Sequence, residues 1–125
     1  MKSDALRWFE IPVADLDRAQ RFYETLLACS LRREQMGPQS LAVFPYGDDG
    51  VGGALLQSGT APTPGIDGTL VYLNAEPSLD LVLSRAAELG ARVLQPKTVL
   101  PRDIGAIAQI VDSEGNRIGL HARSA

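Results

Sequence analysis

The chain has 125 residues, 45% hydrophobic and 22% charged, with 12 Lys and Arg against 15 Asp and Glu and a formal net charge of -3. That length and balance fit one folded domain with its own core and argue against wholesale disorder, and the lack of a basic run able to follow a phosphate backbone argues against nucleic acid as a partner. Cys29 is the single cysteine, which allows no intrachain disulfide and no thiolate metal cluster and gives the thiol a packing role.

The opening MKSDALRW has no apolar run of the signal-peptide kind, and no stretch reaches the ~18 apolar residues of a membrane span, so a cytoplasmic protein with no membrane partner is expected. Residues 8–13 read as a strand that leads into a helix over about 16–28. Apolar Leu16, Ala19, Phe22, Tyr23, Leu26 and Leu27 follow one helix face, Asp15 suits the N-cap and Asp17 the positive end of the helix dipole. LRRE, then SLAVF beyond Gly37-Pro38, then VGGALLQ beyond the GDDG turn are three short strands. Gly52 and Gly53 point to a bulge, a close backbone approach, or most simply a bend.

The order then repeats. TLVYL at 69–73 precedes a helix over about 79–89, capped by Ser78 and stopped at Gly90. ARVL, IAQIV and RIGLH follow as strands, with KTVLPRDIG as a long connector and DSEGN as a turn. Setting Trp8 against Thr69, an offset of 61, also aligns Phe22 with Leu83 and Leu26 with Ala87. The chain reads as a duplicated β-α-β-β-β module, about 6–57 and 69–122, joined within one domain by the Gly/Pro/Ser/Thr-rich linker 58–68. The fold class is α+β: one helix covers one face of each sheet, and the bare faces enclose a core or a cavity.

The run Val13, Asp15, Leu16, Arg18, Ala19, Phe22, Tyr23 and the closing Asp112, Glu114, Gly115, Asn116, Arg117, Ile118, Gly119, Leu120, set at matching places in a duplicated chain, resemble the vicinal oxygen chelate superfamily of glyoxalases, bleomycin resistance proteins and extradiol dioxygenases. The resemblance covers about residues 6–121. It implies curled mixed sheets around a cavity, a bacterial-type homodimer, and a divalent metal held by His or Glu on the first and last strand of each module. Those positions fall at Trp8, at or near Ala54, at Thr69 and at Gly119, none of which is a usual metal ligand. This chain is therefore expected to lack the family's metal site and to need no cofactor.

Two residues beyond Trp8 and Gly119, on the same strand faces, stand Glu10 and His121. A carboxylate on a cavity-facing strand needs a cation, a hydrogen-bond donor or water, and His121, Arg7, Arg32, Arg33 and Arg117 are the candidates. Glu10 reads either as a structural ion-pair residue or as the polar spot of an apolar cup, and His121 either as a residue near a strand end or as its partner. Together they would form an acid/base-capable pair. The expected function is binding of a small organic molecule in a metal-free cavity by Trp8, Glu10, Thr69 and His121. The alternative is a lyase or isomerase of the glyoxalase type in which Glu10 and His121 are catalytic, with no metal or a displaced one.

Overall fold

The computed structural model describes residues 4–124. Strands β1 (Trp8–Pro12), β2 (Arg32–Met36), β3 (Gln39–Val43) and β4 (Gly52–Gln57) form a sheet in the order β1-β4-β3-β2. A second sheet of β5 (Tyr72–Asn74), β6 (Val93–Leu100), β7 (Gly105–Val111) and β8 (Arg117–Ala122) has the order β5-β8-β7-β6. In each, the first strand runs parallel to the last and forms one edge, and the remaining pairs are antiparallel. The sheets do not join, so the two parallel edges, β1 and β5, flank an open seam. The expected α+β duplication is the observed architecture.

Helices α1 (Leu16–Leu27) and α2 (Leu79–Glu88) form where the periodic apolar faces predict them. The Asp15 carboxylate accepts from the Arg18 N–H, and the Ser78 hydroxyl from the Leu81 N–H, each satisfying a donor the first turn leaves free. Leu16, Ala19, Tyr23 and Leu26 of α1 and Leu79, Val82 and Ala86 of α2 join Ile11, Leu55, Leu73, Ile110 and Leu120 in one buried core spanning both modules. Cys29 packs at its edge; burial, then the Glu24 charge, raises its thiol pKa, consistent with a packing role. A smaller cluster of Leu41, Val43, Ala54 and Leu56 lies on the other face of the first sheet, with Ala61 of the linker against it.

The two caps correct the repeat offset to 63 residues in the helices (78 minus 15), so Leu16, Ala19 and Tyr23 match Leu79, Val82 and Ala86. In the strands the Val13 N–H to Leu56 O bond has its counterpart in Ala75 N–H to His121 O. Glu10 facing Ala54 thus corresponds to Tyr72 facing Gly119, and Thr69 is not the counterpart of Trp8.

Two local expectations change. The stretch 97–105 is not a free connector: β6 runs on to Leu100, and only a short turn with Arg102 and Asp103 at positive φ separates it from β7. VGGAL carries no bulge, since β4 keeps unbroken register with β1 through Gly52 and Gly53. Its glycines make room for rings: a Cβ on Gly52 would lie 2.8 Å from the Trp8 indole and one on Gly53 would overlap Phe9. The register shifts fall instead between β6 and β7. No helix among the described residues is long and apolar enough to cross a membrane.

Candidate functional site

The DSEGN turn between β7 and β8 clasps the two modules, because its side chains reach the start of α1. Glu114 accepts hydrogen bonds from the N–H groups of Ala14 and Asp15, both at 2.9 Å, and forms a two-pronged pair with Arg18 at 2.7 and 3.0 Å. Its side chain is fully covered. Burial opposes its charge, yet the bonds from Arg18, from the Asp15 N–H, from Ser113 and from the Ala14 N–H together outweigh that and hold its pKa at about 2. Asp112, also buried, accepts from the Tyr23 hydroxyl at 2.5 Å. Burial and then this carboxylate push the Tyr23 hydroxyl well above its usual range. Asn116 completes the clasp by donating to Pro12 O at 2.8 Å and accepting from the Gly65 N–H at 3.0 Å.

That last bond draws the linker over the free edge of β1. Between them lies a cavity of about 510 Å³, lined by Trp8, Glu10, Ile66, Asp67, Thr69 and Arg117 among others, a size suited to a small organic ligand. Trp8 and Glu10 share one strand face, and the indole Nε1 donates to Glu10 Oε2 at 3.2 Å. Tyr46 meets the Trp8 ring edge-on at 6.2 Å between centroids, so the indole is braced on two sides. A second cleft of about 390 Å³ lies along the same seam, lined largely by apolar side chains including Phe9, Leu27 and Phe44; Leu6, Phe9 and Val71 border both spaces.

Of the residues the sequence singles out, Trp8, Glu10 and Thr69 line the larger cavity. His121 does not. Its Nε2 lies 2.7 Å from Ile104 O, and its register partners are Asn74 and Ile107. Arg117 and His121 share one face of β8 about 13 Å apart at the usual strand rise, with Gly119 between them. The structure thus joins Glu10 to Trp8 and does not join it to His121. The arginine at the cavity is Arg117, one of the partners weighed for Glu10. The reading of 58–68 as a simple linker missed its role as a wall; its composition marks only irregular backbone, and the signal lay 51 residues away in Asn116.

The family's metal positions do not fit a divalent ion. The Trp8 indole nitrogen is a donor only, and Ala54 and Gly119 bring no side-chain donor atom. The Tyr72 ring lies over Gly119 so closely that a Cβ there would overlap it. No three His, Cys, Asp or Glu side chains gather to hold a metal among the described residues.

Residues 6–36 match the family model of the bleomycin resistance protein-like N-terminal region. A glyoxylase/bleomycin resistance protein/dioxygenase domain from Frankia sp. EAN1pec is similar over 98% of both chains, with 22% identity and a TM-score of 0.69. A glyoxalase/bleomycin resistance protein from Streptomyces sp. CB03234 is 24% identical over 94% of this chain and 99% of its own, with a TM-score of 0.71. TnmS3, an antibiotic binding protein from the same organism, is 22% identical over 98% of both chains, with a TM-score of 0.70. A search of curated proteins finds no match. The chain thus shares the glyoxalase/bleomycin resistance protein fold over nearly its whole length, and residues 6–36 also match the family model in sequence.

Proposed function

We propose that this chain, built on the glyoxalase/bleomycin resistance fold, is a binding protein that takes a small, partly aromatic organic molecule into the cavity under the linker. The observation that carries the reading is the braced indole of Trp8, exposed at 41% beside a cavity of ligand size. A large ring left in solvent and fixed at its edge by a carboxylate is suited to stack on a flat ligand. The antibiotic-binding relative of the same fold supports this reading by analogy of scaffold. Glu10 serves as the brace of the indole. The enzyme alternative loses its specific support, because Glu10 and His121 are each hydrogen-bonded elsewhere.

The same reading takes the chain as one cytoplasmic domain acting as a homodimer. Met36 and Tyr46, exposed at 60% and 53%, leave apolar surface that a second copy would cover. Trp8 is the only tryptophan, so its indole gives one ¹⁵N–¹H signal. Titration with flat aromatic compounds is expected to shift that signal saturably, and Trp8→Ala to weaken binding about tenfold, the scale of one lost stacking partner. Compounds that bind while leaving the indole signal unmoved would refute the site.

A further inference from the structure

Arg117 stands at the first position of β8, where its backbone N–H donates to Gly65 O at 3.4 Å. Its side chain makes no hydrogen bond and no ion pair with any described residue, and its Nε is buried without a partner. A guanidinium nitrogen kept from water with nothing accepting its proton is costly, and Arg117 is among the residues that line the cavity shared by Trp8 and Glu10. The acids along that wall do not meet the need: Glu10 accepts from the Trp8 indole, and neither Glu10 nor Asp67 pairs with Arg117.

We infer that Arg117 is the anchor for an acidic group on the ligand, so that the cavity selects flat aromatic molecules carrying a single carboxylate. Guanidinium is the side chain best matched to carboxylate, through two parallel N–H donors and a charge that persists at all working pH. Glu10 and Asp67 line the same space, which disfavours a ligand with a second negative charge. The inference rests on the binding reading and adds the ligand's charge to it.

The test is calorimetric titration of the intact protein with 2-naphthoate, its neutral amide 2-naphthamide and 2,6-naphthalenedicarboxylate, with the Trp8 indole signal followed by NMR. The expected result is that the monoacid binds about tenfold more tightly than the amide, the scale of one charge-assisted bidentate contact, and more tightly than the diacid. Arg117→Met, which keeps an apolar stem, should erase the preference for acid over amide. The comparison of the two ligands on the unaltered protein stands by itself if that variant does not fold. Equal binding of acid and amide, with the indole signal moving, would overturn the role of Arg117 and leave the cavity reading in place. Neither compound moving the indole would overturn both.

Discussion

Glu10 opposite Ala54 and Tyr72 opposite Gly119 are the same place in two copies of one module, and the copies use it in opposite ways. In the second, the Tyr72 ring lies on Gly119, and its hydroxyl accepts from the Gln109 amide at 3.0 Å. The seat over Gly119 is taken and the hydroxyl is engaged, while the rest of the ring stays exposed and lines the smaller cleft. In the first, Ala54 leaves no such seat; Glu10 projects beside Trp8, and the space beyond is walled by the linker. Duplication supplies two equivalent edge strands, each bordering a space along the seam: at one the Tyr72 ring is seated on Gly119 beside the smaller cleft, and at the other Glu10 and Trp8 line the larger cavity.

The comparison holds only while the modules keep a fixed relation, so its strongest test is the clasp. Glu114→Gln removes the charge that binds Arg18 and the start of α1, and unfolding experiments should show a loss of about 2–3 kcal/mol, below the full cost of breaking a buried pair because Arg18 is half exposed. Next comes the packed member of the pair. Gly119→Ala forces a methyl group into the Tyr72 ring and should cost about 1–3 kcal/mol in denaturant titration, whereas Glu10→Ala at the open member should cost less than about 1 kcal/mol, its indole bond being exposed. Equal costs would erase the distinction.

Acid should act through the clasp too. The Glu114 pKa lies below its unfolded value, so its contribution is full above the ordinary glutamate pKa of 4.5 and is lost as pH falls toward about 2. Stability measured across that window should drop by on the order of 2 kcal/mol more in the native chain than in Glu114→Gln. The smallest effect is expected at His121: His121→Ala removes one hydrogen bond to Ile104 O and should cost about 1 kcal/mol or less, with no change in ligand affinity. A large loss of affinity would return His121 to the site.

Much of the fold was legible because local signals agreed. Asp15 and Ser78 capped the helices, apolar spacing gave their buried faces, and turn residues marked the strand ends. The repeat offset slipped by two residues because Phe22 and Leu83, or Leu26 and Ala87, are interchangeable as apolar residues, whereas the caps that set the true offset are chemically different, Asp and Ser. The site was legible in part. Period-two alternation put Trp8 and Glu10 on one face, but strand faces say nothing about position across the sheets, and so the sequence pairs Glu10 with His121 although the cation lining its cavity is Arg117. DSEGN read as turn chemistry, which it is, while the reach of Glu114 to Arg18, 96 residues earlier, leaves no mark in local pattern.

The central claim is that the open member of the duplicated pair borders a binding cavity, and the single indole signal of Trp8 tests it most directly. The account predicts that flat aromatic molecules shift this one signal saturably with one site per chain, and that Trp8→Ala weakens their binding about tenfold. Aromatic molecules that bind with the indole signal unmoved, or with the same affinity after Trp8→Ala, would contradict it.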